Sequence, residues 1–213
     1  MAQFSNELLD SFVAPELSKL TRVGAPALDT QPDYLRVAFM NHVFGLRYKR
    51  KALLHVSITF LKRTMTATDE YRAGRESLTR YIDCLSRQAH DLKAYLSALS
   101  HFEQCIGSVY QCVELFDKVN TWLVPSHPRA FSKGDGSDLQ RINELNNILK
   151  HFTPEQAEKT SAPVWITDTG LSSATHCVSF DELAVNIKAL WGVNRVIFVE
   201  IPSESRAVSA PPA

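Results

Sequence analysis

One stretch concentrates the side chains suited to proton transfer and polar recognition: Arg141-Ile142-Asn143-Glu144-Leu145-Asn146-Asn147-Ile148-Leu149-Lys150-His151-Phe152. On a helix, with about 100° between successive residues, Ile142, Leu145, Leu149 and Phe152 form an apolar stripe. Asn143, Asn147 and His151 recur at four-residue steps on the other side, joined by Asn146 and Lys150. Three amides, an ammonium and an imidazole thus share one surface near the helix's C-terminal end. The helix dipole favours a protonated imidazole there, and histidine is the side chain suited to moving protons near neutral pH. The spacing marks His151 as the candidate catalytic group. Asn143, Asn146, Asn147, Lys150 and Arg141 are the candidate binding residues. The same spacing also fits an ordinary helix end whose amides bond neighbouring loops.

The run Asn146-Asn147-Ile148-Leu149-Lys150-His151 resembles the signature of HEPN-domain proteins. In those, an Arg, often followed by Asn, precedes a His with four to six residues between them, near the end of a bundle helix. The continuation through Phe152, Val164-Trp165-Ile166-Thr167 and Phe180-Asp181-Glu182-Leu183 is similar to uncharacterised bacterial proteins of HEPN-like type. The likeness spans roughly residues 33–191. It implies a helical bundle that pairs with a second copy and, in active members, metal-independent cleavage of RNA. There the His moves a proton at the ribose 2′-hydroxyl or the leaving oxygen, and the Arg stabilises the developing phosphorane charge.

This chain departs from that pattern at the cation. The residue separated from His151 by four others is Asn146, which is neutral. Arg141 stands ten residues before His151, about 15 Å along a helix axis. Lys150 brings charge without the bidentate fork of a guanidinium. Arg87 and Arg80 miss the spacing to His90, with two and nine residues between. The expectation is a non-enzymatic HEPN-like binding or regulatory module, a homodimer, with RNA, a nucleotide or a protein as partner. The alternative is a divergent metal-independent ribonuclease, of toxin or antiphage type, using His151. Neither reading calls for a cofactor or a metal.

The elements that position this segment are read from apolar spacing. Between Asp33 and Val124 there is no proline and only Gly45, Gly74 and Gly107. Leu46, Leu53, Phe60 and Leu61 fall on one helical face; Leu92, Leu96, Leu99, Phe102, Ile106, Val109 and Val113 fall on another. So long an amphipathic run must fold back on itself, with breaks expected at 66–69 and 86–91. Shorter helical pieces are expected around Asn6–Phe12 and Pro15–Thr21. Pro125, Pro128, Gly134 and Gly136 mark a polar loop, after which Ser137 or Asp138 caps a helix to about Phe152. Thr153-Pro154-Glu155-Gln156 reads as a further helix start. Strands are expected at Val164–Thr167 and Thr175–Val178 about a Gly170 turn. A Ser179-Phe180-Asp181-Glu182 capping box then opens a helix through Ala189, and a last strand is expected at Arg195–Ile201. The fold class is mainly α, an antiparallel helical bundle with a small α/β C-terminal element. The divisions are 1–160 for the bundle, 161–201 for the element packed on it, and 202–213 for a disordered tail.

Composition narrows the function classes. The 213 residues are 45% apolar, too apolar for wholesale disorder, and 8 Gly are too few for a turn-rich all-β fold. Lys+Arg and Asp+Glu both number 23, which gives no overall bias towards a polyanion. The densest basic run is Arg47-Tyr48-Lys49-Arg50-Lys51, and Arg47, Lys51, His55 and Lys62 share a helical face able to follow a phosphate backbone. Cys84, Cys105, Cys112 and Cys177 form no CxxC pair, and Cys105 and Cys112 sit on one apolar face as buried thiols. Neither a signal-peptide pattern nor a long apolar span is evident, so the expectation is a soluble, cytoplasmic chain with no membrane partner. Walker, GxGxxG, GxSxG and HExxH motifs are missing. Trp122, Trp165 and Trp191 read as core. Ser172, Ser173, His176 and Asp168 cluster without the strained turn a hydrolase nucleophile needs.

Overall fold

The computed structural model describes residues 5–43, 51–87, 89–123, 126, 128–153 and 162–200. Its scaffold is a helical hairpin, α3 (Lys51–Leu85) and α4 (Leu92–Leu123). The two helices run antiparallel, since their contacts pair rising with falling residue numbers. Cys112 Sγ lies 3.7 Å from the Phe60 carbonyl, Glu70 meets His101 at 2.6 Å, and Ser77 meets Ser97 at 3.3 Å near the turn. The chain turns at 86–91, as the sequence indicates, with the Asp91 carboxylate accepting from Ala94 N–H at 3.0 Å.

No break occurs at 66–69. The threonines that argue for one are instead held inside α3. Thr64, Thr66 and Thr68 each donate a hydroxyl to the carbonyl four residues back, at 3.0, 3.0 and 2.8 Å. Thr64 and Thr68 are also fully buried, where they accept hydrogen bonds from another helix. A polar, β-branched run that looks like a helix terminator is therefore an interior docking strip.

The seam between α3 and α4 is filled by Tyr71, Leu78, Tyr81, Tyr95, Phe102, Ile106 and Val109, all essentially inaccessible. Gly74 lets the helices close: a Cβ there would lie 3.1 Å from the Phe102 ring. Phe102 in turn stacks edge-on to Tyr71 at 5.8 Å and against Phe180 at 4.8 Å. Each such ring contributes about 1.5–3 kcal/mol by leaving water. Leu96, expected on the buried face, is 52% exposed; Ala94, Tyr95, Ala98 and Leu99 fill the seam there instead.

Around this hairpin stand α1 (Asn6–Phe12), α2 (Tyr34–Val43), α5 (Asp138–Lys150) and α6 (Phe180–Arg195). A 3-10 turn at Leu17–Lys19 accounts for the second short N-terminal piece. The C-terminal sheet is antiparallel, β1 (Trp165–Ile166), β2 (Gly170–Ser172) and β3 (Cys177–Ser179), in the order β1-β2-β3. Gly170 begins the middle strand rather than forming the turn. A Cβ on it would sit 2.1 Å from the Val178 carbonyl oxygen, so the close strand approach requires glycine.

The Ser179 capping box forms as the sequence predicts, but α6 runs past Ala189 to Arg195 and continues as a π turn at Val196–Glu200. No strand forms at 195–200, although Val196, Ile197, Phe198 and Val199 favour one by type. The Val196 N–H bonds the carbonyls of Gly192 and Val193, which carries the helix on and drives Phe198 fully into the core. On its inner face α6 docks to the buried threonines: Trp191 Nε1 donates to Thr68 Oγ1 at 2.9 Å, and Asn194 Nδ2 to Thr64 Oγ1 at 3.0 Å.

Residues 13–33 form a strap across the sheet and α3. Asp168 anchors it, accepting from the Thr21 amide and hydroxyl at 2.7 and 2.5 Å and from the Arg22 amide at 3.1 Å. No helix among the described residues is long and apolar enough to cross a membrane. The basic run 47–50, the helix start expected at 154 and the tail 202–213 lie outside the described residues.

Candidate functional site

Helix α5 is set in place at both ends by local chemistry. Asp135 ties the preceding loop, accepting from Ser132 N–H at 2.6 Å and Ser137 N–H at 2.8 Å, and these bonds hold its carboxyl below the ordinary range. Gly134 and Gly136 supply the left-handed turns, with φ of 84° and 72°. Ser137 then caps the helix through Gln140 N–H at 3.1 Å. At the far end the helix closes at Lys150, with His151 as its cap and the His151 N–H on the Asn147 carbonyl at 3.0 Å.

The candidate residues divide among four environments. Asn143 and Asn147 line a cleft of about 900 Å³ between α4, residues 129–133 and α5. Their amides lie in register, Asn147 Nδ2 donating to Asn143 Oδ1 at 3.4 Å. Lys150 stands at 4.8 Å over the Tyr110 ring, which lines the same cleft. Asn146 is turned inward. It is 3% exposed, faces Gly107 on α4, and its Nδ2 has no hydrogen-bond partner among the described residues.

Arg141 lies on the opposite side of α5. It donates to the Gly136 carbonyl and pairs with Glu182, the capping-box acid of α6, so it ties two helix starts together. His151 is exposed and its ring makes no hydrogen bond among the described residues. It is not in the cleft lining. The structure therefore brings Asn143, Asn147 and Lys150 together and separates Asn146, Arg141 and His151 from them.

Opposite the two amides the cleft presents charges that the α5 segment does not reveal. Arg129, Phe131 and Lys133 come from the loop, and Tyr110, Glu114 and Asp117 from α4. Two of the carboxylates are engaged by neutral donors: Tyr110 OH donates to Glu114 at 2.7 Å, and Ala130 N–H to Asp117 at 2.9 Å. The bond to Glu114, with burial, pushes the Tyr110 phenol up to about 12. Arg129 and Lys133 make no hydrogen bond or ion pair among the described residues. The signal for the α4 residues was available, since 110, 114, 117, 118 and 121 recur at helical steps as a polar stripe.

Elsewhere the candidates are structural. Asp168 is committed to the strap, and the Ser173 hydroxyl donates to the His176 carbonyl at 3.0 Å, so no triad forms. Cys105 and Cys112 are buried, and burial pushes both thiols up, Cys112 to about 12. Trp165 is partly exposed, with its indole N–H on Glu16 at 3.5 Å. Among the described residues no three His, Cys, Asp or Glu side chains gather to hold a metal ion.

No protein-family model, curated protein or solved structure matches the chain.

Proposed function

We propose that this chain is a non-enzymatic, HEPN-like helical binding module, a cytoplasmic homodimer. Its ligand places a phosphate-like anion in the cleft between α4, residues 129–133 and α5. The observation that carries this reading is the division of the α5 polar residues. An anion needs donors and compensating charge. Asn143 and Asn147 donate, and Arg129 and Lys133 supply cations in a cleft whose carboxylates are Glu114, Asp117 and Glu144, the first two already accepting from Tyr110 OH and Ala130 N–H. Phosphodiester cleavage needs an imidazole and a cation on the same phosphate. His151 stands outside the cleft lining, and Arg141 is committed to Glu182. The phosphate belongs to a nucleotide or to RNA.

Self-association is supported by the surface where α2 meets the π turn. Leu35, Phe39 and Met40 are exposed there, Phe39 to 63%, together with Val196 and Val199. Apolar side chains gathered in this way mark a contact surface. The four unpaired thiols fit a reducing compartment.

The test is a titration with inorganic phosphate, following the side-chain amide signals of Asn143 and Asn147. The native protein is expected to show saturable shifts that weaken with salt, and Lys133→Glu is expected to lose them. Unmoved Asn143 and Asn147 signals in the native protein overturn the binding cleft. A light-scattering mass near twice the 23.9 kDa chain mass is expected at micromolar concentration, and a monomer mass removes the dimer.

A further inference from the structure

A second depression, of about 690 Å³, lies between α3 and residues 27–28 of the strap. Arg72, Arg75, Arg80 and Arg87 border it, with Glu76 and Asp83 as the acids. Four guanidinium groups line it against two carboxylates, and Asp91, outside the lining, pairs with Arg80, which still leaves a positive groove on a chain whose charges otherwise balance.

The helical spacing offers neutralisation that the structure does not use. Glu76 is four residues from both Arg72 and Arg80, and Asp83 is four from Arg87, the spacing at which opposite charges normally pair. Neither Glu76 nor Asp83 forms an ion pair among the described residues. The arginines turn elsewhere. Arg72 donates to the Asp29 carbonyl at 2.6 Å and Arg75 Nε to the Ala25 carbonyl at 2.9 Å. Arg80 Nε lies 3.1 Å from the Asp91 carboxylate. Arg87 is exposed, and its side chain has no partner among the described residues.

These anchors orient without exhausting. A carbonyl fixes a guanidinium but does not neutralise it, and one bond uses one of its five N–H donors. Bonding through Nε leaves both terminal nitrogens of Arg75 and of Arg80 to donate. Three of the four cations are thus held in place before any ligand arrives, which lowers the entropic cost of binding. Strap anchoring alone explains Arg72 and Arg75 but gives no role to Arg87.

We propose that this groove binds a small polyanion carrying at least two phosphate-like groups. Arg72 and Arg80 are eight residues apart, about 12 Å along the helix axis, which is too far for one phosphate to bridge. None of the lining residues is aromatic, so there is no surface for base stacking. The recognition is of charge and spacing, with Ala27 and Leu28 as a short apolar edge.

Calorimetry with inorganic tripolyphosphate tests the groove, with orthophosphate and a single-stranded oligonucleotide as the other arms. Tripolyphosphate is expected to bind at least about tenfold more tightly than orthophosphate, and more weakly as salt rises. Arg87→Glu removes no structural contact and is expected to weaken it by about tenfold or more. Arg75→Gln is expected to weaken it as well, with helicity and unfolding midpoint checked by circular dichroism. Repeating the titration in Lys133→Glu, which removes phosphate binding in the other cleft, isolates the groove, and the Arg87-dependent tripolyphosphate binding is expected to persist there. No binding at millimolar tripolyphosphate overturns the proposal. So does unchanged affinity in Arg87→Glu, or tighter binding of the oligonucleotide than of tripolyphosphate.

Discussion

The seam between α3 and α4 and the polar side of α5 are both helical surfaces with regular spacing, yet they behave differently. In the seam, residues at helical intervals share one environment: Tyr71, Leu78, Tyr95, Phe102 and Ile106 all lose contact with solvent against one another. On α5, amides one or three residues apart part company. Asn146 is buried against α4, whereas Asn143 and Asn147 face a cleft. Apolar side chains are driven to whichever face is dry, so period alone places them. A polar side chain follows what its neighbours offer: Arg141 turns to Glu182 of α6, Asn147 bonds Asn143, and Asn146 is buried against α4 with its Nδ2 unpartnered among the described residues. Spacing predicts a shared face but not a shared site.

The largest effect expected from this contrast is in the seam. Phe102→Ala empties the contact among Gly74, Tyr71 and Phe180 and should cost about 3–5 kcal/mol, read as a fall in the urea midpoint. A loss near zero would mean that the seam is not the stabilising core.

Next comes Asn146→Arg, which would place an Arg five positions before His151. Because Asn146 is buried beside Gly107, the longer charged side chain is expected to overpack the α4–α5 contact. The cost is about 1–3 kcal/mol, with no gain of RNA cleavage. A stable, RNA-cleaving variant would show that the α5 polar face acts as one site after all.

Asp168→Ala should cost about 1–2 kcal/mol at neutral pH, through loss of three hydrogen bonds to Thr21 and Arg22. Burial raises the Asp168 carboxyl, but those bonds outweigh it and leave it below the ordinary value of 3.8. A depressed carboxylate stabilises the fold above its unfolded value and ceases to do so as pH falls through its folded one. The gap between native and variant midpoints should therefore close in acid below that value. A gap that persists there would assign the effect to packing.

Thiol labelling sharpens the same contrast without a mutation. Cys177, exposed, and Cys84, half-buried, should react in the native state, while Cys105 and Cys112 wait for unfolding. Rapid modification of all four would open the seam. The smallest effect belongs to His151→Ala, expected to change stability by less than about 0.5 kcal/mol because the ring is exposed and unpartnered.

What could be read from the residues follows the same division. The hairpin turn at 86–91, the Ser137 and Ser179 caps and most of the apolar face of α4 were legible because each depends on neighbours in the chain. The continuity of α3 through Thr64–Thr68 was not, because it depends on Trp191 and Asn194 more than a hundred residues away. The helical course of 195–200 was hidden by β-favouring residue types that the preceding helix overrides. At the candidate site, Asn143 and Asn147 were legible, whereas Arg129 and Lys133 were not, since a loop's direction is set by the Asp135 and Asp117 bonds rather than by period.

A binding role and a catalytic one part at a single experiment, incubation of the pure protein with mixed RNA in EDTA beside His151→Ala. With His151 outside the cleft and the motif cation replaced by a buried amide, intact RNA is expected in both. Reproducible cleavage by the native protein, abolished in His151→Ala, would contradict the binding-module account and make this chain a metal-independent ribonuclease.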